Sequence, residues 1–280
     1  MRKEFDLLAV GSMVSDVIKG EKFWGGCAPN VAVATYFLGS EVALYTASSD
    51  TNEAREYENY LKKMGIDVFI FSQLLEDLPC CSVTTEGIKW IDNGLTEQYE
   101  QSPVSKNVLS SAGLVYLGMC ESSFSLRVIE QLNNEQVLAV NPGSWVYQNP
   151  QGLSEINARA NYLFLNEKEY HHLLTNGYLL NMSDTEQKPG QVLVVTRGKN
   201  STIIKKNALV HEIPVIPVEV IDETGAGDAF AAGFLWAEKN GLEISQSGEL
   251  GNRLASLIVQ QQNPQATADL VRQFFRAAQL

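Results

Sequence analysis

A chain of 280 residues has room for one large α/β domain or two small ones, and 45% hydrophobic with 19% charged residues suits a globular protein with a sizeable core. The formal charge of -12 excludes wrapping a polyanion such as DNA, which needs clustered Lys and Arg, but not holding one nucleotide by backbone N–H groups and a metal ion. No apolar run reaches the roughly eighteen residues of a membrane span, so a cytoplasmic protein without membrane or nucleic-acid partners is expected.

In chain order, residues 5–11 form the first apolar run, which meets Ser12, Ser15 and Asp16 and reads as a buried strand rather than a signal peptide. Gly25-Gly26-Cys27-Ala28-Pro29-Asn30 then opens a helix over 30–38. Paired glycines allow a ligand to approach the backbone closely, Pro29 suits a first helical turn, and Asn30 offers a donor and an acceptor to a polyhydroxylated ligand. Further strands are expected at 41–46, 66–71, 113–117, 136–141, 162–166 and 192–196, with helices at 52–64, 122–133 and 167–175 between them. This alternation predicts a parallel sheet covered on both faces. Residues 80–100 break the rhythm as strand, turn, strand, with Asp92-Asn93-Gly94 as the hairpin signal. The last third reads as helices at 226–239, 243–262 and 265–278. Cys27, Cys80, Cys81 and Cys120 lack metal-ligand spacing and read as reduced thiols.

The strongest chemical signal is Asp222-Glu223-Thr224-Gly225-Ala226-Gly227-Asp228-Ala229-Phe230. Small residues at 225–227 permit a tight turn into a helix whose first N–H groups favour a phosphate or a developing negative charge. Asp228, in the first turn, can face the same spot and accept a proton from an attacking hydroxyl. The plain alternative is a Gly-rich turn with a helix-stabilising Asp.

The two ends of the chain together resemble the carbohydrate kinases of the ribokinase (PfkB) family. Gly25-Gly26-x-x-x-Asn30 with Leu38-Gly39 is similar to the family's N-terminal signature, and Asp222-x-Thr224-Gly225-Ala226-Gly227-Asp228-x-Phe230 to its C-terminal one. Between them, Asn166-x-x-Glu169 and Thr196-Arg197-Gly198 match two further motifs in the family's order. The resemblance implies a single ribokinase-like domain over 1–280, a doubly wound αβα sandwich with a reduced β-lid. It implies that Asp228 is the base, with the amides of Gly225, Ala226 and Gly227 as anion hole. Asn166 and Glu169 would hold Mg²⁺ and its waters. Thr196, Gly198, Thr224, Gly225 and Gly227 would line ATP, and Asp16, Gly25, Gly26 and Asn30 the small hydroxylated acceptor. A monomer or a homodimer is expected.

Three departures stand out. Only residues 17–24 lie between Asp16 and Gly25, too few for two full lid strands, so the lid is expected mainly from 80–100. Ser201 stands where a second glycine commonly closes the nucleotide loop. Asn263-Pro264-Gln265-Ala266 replaces a more usual Gly-Ala near the adenine pocket. Trp24, beside Gly25, is either a cover for the acceptor or a core residue. The acceptor stays open between a sugar or sugar-like molecule and a nucleoside, to which Asn141-Pro142-Gly143 gives a weak pointer. A non-catalytic binding relative is the alternative from another class. A dinucleotide oxidoreductase is excluded, because no Gly-x-Gly-x-x-Gly follows the first strand.

Overall fold

The computed structural model describes residues 4–74, 76–84, 87–179 and 190–278. The first third holds β1 (Leu7–Val10), β2 (Val14–Ile18), β3 (Glu21–Gly25), α1 (Cys27–Phe37), β4 (Val42–Ser49), α2 (Asn52–Met64) and β5 (Asp67–Leu74). Next come β6 (Cys80–Thr84), β7 (Gly87–Ile91), α3 (Leu95–Gln101), α4 (Lys106–Leu109), β8 (Leu114–Gly118), α5 (Ser122–Gln131) and β9 (Val137–Asn141). The remainder is α6 (Trp145–Gln148), α7 (Pro150–Arg159), β10 (Tyr162–Asn166), α8 (Glu167–Thr175), β11 (Val192–Thr196), β12 (Thr202–Lys206), β13 (Leu209–Ile213), α9 (Ala226–Lys239), α10 (Ile244–Ile258) and α11 (Ala268–Ala278).

Nine strands form one sheet in the order β13-β12-β11-β10-β9-β8-β1-β4-β5. Pairing is parallel from β5 to β11, and β12 and β13 complete the far edge antiparallel. Successive strand residues point to opposite faces, and the two cores follow that period. Leu7, Ala9, Val42, Leu44, Tyr116, Phe164, Val192 and Val194 join α1, α2, α9, α10 and α11. Leu8, Val10, Ala43, Tyr45, Val115, Leu117, Leu163, Leu165, Leu193 and Val195 join the helices of the other face. The expected αβα sandwich is therefore present, with a mixed rather than an all-parallel sheet.

The chain leaves β1 for β4 and β5 on one side and resumes at β8 on the other, so the strand order reverses between β1 and β8. Open α/β sheets offer a ligand crevice at such a point. Here the backbones meet closely: a side chain on Gly11 would lie 2.4 Å from the Gly118 carbonyl oxygen and 2.8 Å from Ala28. These contacts seat the N-terminus of α1 on the strand ends.

A second sheet, in the order β3-β2-β6-β7, stands apart from the first. It corrects the expected lid: residues 14–25 supply two of its four strands, each of five residues. The hairpin fits because the Lys19-Gly20 turn takes two left-handed residues, φ 51° and 84°, leaving the flanking residues free to pair. The other hairpin also differs from expectation. β6 and β7 turn around outside the described residues, and Asp92-Asn93-Gly94 leads into α3 instead of joining two strands. Its chemistry was a sound turn signal, with Asn93 and Gly94 both left-handed, but the Asp92 carboxylate accepts from the Thr96 N–H and starts a helix.

Helix α2 supports the small sheet from below. Thr51 caps its start by accepting from the Ala54 N–H, Lys62 and Lys63 sit in its last turn, and left-handed Gly65 ends it. Its inward stripe presents Tyr57, whose hydroxyl donates to the Gly25 carbonyl at 3.0 Å.

Candidate active site

Gly225 caps α9 in the left-handed region, φ 80°. An added side chain there would sit 2.3 Å from the Pro264 carbonyl oxygen, so the turn requires glycine twice over. Thr224 N–H donates to the Asp222 carboxylate at 2.8 Å, fixing the approach to the turn. The Ala226 N–H donates to the Glu223 carbonyl at 3.2 Å, which removes it from the expected anion hole. Of the expected set the N–H groups of Gly225 and Gly227 remain, joined by that of Asp228, since cap and first-turn positions have no intrahelical acceptor. No heavy atom lies within 4 Å of where a Gly227 side chain would begin, so that flank is open to a ligand.

Asp228 lies in this first turn yet is only 6% exposed, because it faces α1. Asn30 Nδ2 donates to Asp228 Oδ2 at 2.9 Å, while the buried Asn30 Oδ1 has no hydrogen-bond partner among the described residues. Burial pushes the Asp228 carboxyl up to about 6, against the hydrogen bonds from Asn30 and the Cys27 thiol that lower it. A buried carboxylate with a pKa near neutrality and one fixed oxygen is well suited to accept a proton.

Asp16 comes to the same place from the small sheet. It is 5% exposed, and its Oδ2 occupies the space of an absent Gly25 side chain, 1.8 Å from where that Cβ would be. Burial, then the charges of Asp228 and Asp222, push it up to about 7. Gly26, with φ 103°, presses on the Ser12 carbonyl oxygen, where a side chain would come within 2.3 Å. Asp16, Gly25, Gly26, Asn30 and Asp228 are thus brought together.

Asn166, Glu169, Thr196 and Gly198 lie along the strand ends to the side. Asn166 and Thr196 are paired residues at the carboxyl ends of β10 and β11. Asn166 and Glu169 form a reciprocal capping box: Asn166 Oδ1 accepts from the Glu169 N–H and Glu169 Oε2 from the Asn166 N–H, both at 2.9 Å. This leaves Glu169 Oε1 and Asn166 Nδ2 outside the cap. Glu169 is buried and raised to about 6 by burial, with Asp228's charge adding to the rise. Thr196 Oγ1 reaches the Leu165 carbonyl, and Gly198 is left-handed at φ 57°. Ser201, the departure in this loop, uses its carbonyl to hold Arg197 Nε. Among the described residues no three His, Cys, Asp or Glu side chains converge as a metal site.

Sequence reasoning missed a row across the small sheet. Phe23, Asp16, Cys81 and Trp90 are successive cross-strand partners, so they share one face. Phe23 is half-buried and Trp90 43% exposed. Trp24 belongs to the opposite face, stacked on Tyr57 at 5.2 Å and 7° and packed on Tyr60 at 4.8 Å. Trp24 is therefore packing between β3 and α2, and Phe23 is the aromatic beside the carboxylate. A one-residue shift in strand register decides this, and recognising β2 and β3 as strands was the signal that could have found it.

Comparison with known proteins agrees with this geometry. The profile of the pfkB family carbohydrate kinases matches residues 4–270. A nucleoside kinase of Methanothermobacter thermautotrophicus is 28% identical over 98% of this chain and 97% of its own. A 5-dehydro-2-deoxygluconokinase of Clostridium perfringens is 22% identical over 92% and 88%. The crystal structure of the Methanocaldococcus jannaschii nucleoside kinase, described as an archaeal member of the ribokinase family, superposes with a TM-score of 0.82 and 23% identity over 99% of both chains. Among the described residues no helix is long and apolar enough to cross a membrane. The chain belongs to the pfkB family of carbohydrate kinases, as an ATP-dependent phosphotransferase with a hydroxyl acceptor.

Proposed function

We propose that the acceptor is a nucleoside, an uncharged polyhydroxylated molecule carrying a planar base, and that Asp228 takes the proton of the reacting hydroxyl. The observation that carries this reading is the row on the small sheet, which places aromatic Phe23 and Trp90 on the same face as Asp16. Carboxylates accept from sugar hydroxyls, and aromatic faces stack on bases. The surroundings disfavour an anionic acceptor such as a sugar phosphate. Asp16, Asp228 and Glu169 share one negative field, while Lys22 is paired to Glu53 and Arg197 to Glu212. The nucleoside kinases among the relatives support the same choice.

In this reading ATP lies along the ends of β10 and β11, by Thr196, Gly198 and Thr224, with its γ-phosphoryl before α9. Asn30 holds Asp228 Oδ2 and the Cys27 thiol also donates to this carboxylate, which orients it towards the acceptor hydroxyl. The N–H groups of Gly227 and Asp228 meet the charge developing on the transferred group. Mg²⁺ fits the remaining donors, being an oxygen-seeking ion that keeps most of its water. Glu169 and Asn166 would hold those waters, and the ion would offset the repulsion between Glu169 and Asp228. Bound Mg²⁺ supplies charge neutralisation on the phosphates.

The test is ADP release with ATP and Mg²⁺ across nucleosides, ribose and other free sugars, and sugar phosphates. Nucleosides are expected to give the highest kcat/KM. A sugar phosphate turned over better than every nucleoside would end this reading while leaving the kinase assignment intact.

A further inference from the structure

A cavity of about 610 Å³ lies along β3, bordered by Lys22, Phe23 and Trp24, between that strand, the start of α2 and the segment 263–265. Its volume is that of a small-molecule site. Phe23 borders it from the acceptor row, but neither Asp16, Asn30 nor Asp228 lines it, so the proton-accepting carboxylates lie outside it. Two departures from the family pattern meet there: the short β2–β3 hairpin and Asn263-Pro264-Gln265.

Its aromatic wall is rigid. Trp24 rests on fully buried Tyr57, whose hydroxyl donates to the Gly25 carbonyl and accepts from Gln265 Nε2 at 2.6 Å. Tyr60 closes against Trp24 at 44°. The polar wall consists of the Asn52, Asn263 and Gln265 amides with the Glu56 carboxylate. Lys22 and Glu53, also at the cavity, pair with each other. Glu56 has no ion pair among the described residues, which leaves one net negative charge facing the space. Stacking surface, edge-reading amides and a carboxylate that accepts from N–H groups select a planar nitrogen heterocycle, and the charge disfavours a phosphate.

We propose that this cavity is a second binding site, for an uncharged nucleobase-type heterocycle, distinct from the acceptor site. Its walls come from the small sheet on one side and from α2 and 263–265 on the other, so an occupant ties β3 to the main body. Segment 263–265 also touches the catalytic turn, through the Pro264 carbonyl against Gly225. The bound base is therefore an effector of the small sheet and not a substrate.

The experiment is calorimetric titration of the full chain with adenine, hypoxanthine and cytosine, which carry no hydroxyl to phosphorylate. Wild type, Glu56→Ala, Asn263→Ala, Asp16→Ala and Trp90→Ala are compared, and thermal melts confirm folding. At least one base is expected to bind wild type and Asp16→Ala equally, and about tenfold or more weaker in Glu56→Ala or Asn263→Ala. Absence of binding by all three bases at millimolar concentration overturns the proposal. So does binding that survives both cavity substitutions, or that is weakened as much by Trp90→Ala, since the base then stacks in the acceptor site. The readout needs no turnover, so it is independent of the acceptor proposed above.

Discussion

The two sheets divide the work unequally. The nine-stranded sheet is covered by a core on each face, and its central strands are buried throughout, as in β1 and β4. It carries the Gly225 turn, Asp228 and the Asn166 and Thr196 strand ends, the proposed base and nucleotide side. The four-stranded sheet has thin cover: its edge strand β3 is exposed at Glu21 and Lys22, and β7 exposes Trp90 and Ile91. One of its faces meets α2, and the other bears Asp16 between aromatics. Under the proposed function, groups that must hold position to a fraction of an ångström stand on the thick layer, and groups proposed to recognise the acceptor stand on the thin one. A rigid scaffold with a lightly anchored recognition element is what a closing site needs.

The largest expected effect tests the thick layer. Asp228→Asn keeps the shape but removes the base, so kcat should fall by about 10²–10⁴ with nucleotide affinity little changed. Single-turnover rates and nucleotide titrations measure both, and a near-normal kcat would remove Asp228 from the mechanism. Next, the two tryptophans of the thin layer should part company. Trp24→Ala should cost about 2–4 kcal/mol of stability through its lost stack, with the ratio of ATP hydrolysis to transfer unchanged. Trp90→Ala should leave the melting temperature within about a degree or two, yet raise the nucleoside KM by roughly fivefold to 150-fold, the equivalent of about 1–3 kcal/mol of lost stacking, with the KM for ribose unaffected. Equal melting losses for the two would erase the distinction between the faces of this sheet.

Asp16 gives a smaller effect with a defined pH window. Its folded pKa, about 7, lies above its ordinary value of 3.8, so between these values the folded state holds more protons than the unfolded one. Stability contributed by the protonated acid is complete below pH 3.8 and lost as pH rises through 7. Asp16→Asn should therefore stabilise the protein at pH 8 by on the order of 1–2 kcal/mol, and by much less at pH 4. Denaturant melts at the two pH values measure this, and a gain that is larger at pH 4 contradicts the burial argument. The smallest effect belongs to Glu169. If its carboxylate orients Mg²⁺-bound water, Glu169→Gln should raise the Mg²⁺ concentration for half-maximal activity by about threefold to tenfold while keeping the helix cap. An unchanged Mg²⁺ titration reduces Asn166 and Glu169 to their capping box.

The same contrast explains what the sequence disclosed. Strands 162–166 and 192–196 and helices 52–64, 167–175 and 226–239 are observed with the expected bounds, since their apolar runs and caps are long and locally consistent. The thin layer was misjudged because its strands, as long as β10 and β11, mix Ser, Asp, Glu, Lys and Gly with apolar residues, so composition does not mark them. Their best local marker is the Lys19-Gly20 turn, whose two left-handed residues join them as a hairpin. β12 and β13 escaped for the same reason, being a short hairpin about Asn207, another left-handed residue. In the site, Gly225 and Asp228 were legible from their local spacing. Tyr57, Gly118 and Gln265 were not, because each acts through a contact distant in sequence that no local pattern encodes.

The carboxylate lodged in the place of a Gly25 side chain also constrains how this site can change over generations. Gly25→Ala alone drives a methyl to 1.8 Å from Asp16 Oδ2 and displaces the acid, so it should lose both stability and acceptor affinity. Asp16→Ala alone opens a hole beside Gly25. Made together, the two substitutions refill the space, and the double variant should be more stable than Gly25→Ala by itself, a positive coupling between neighbours. Acceptor preference at this position can therefore drift only if the acid goes first and the glycine follows; the reverse order meets a barrier.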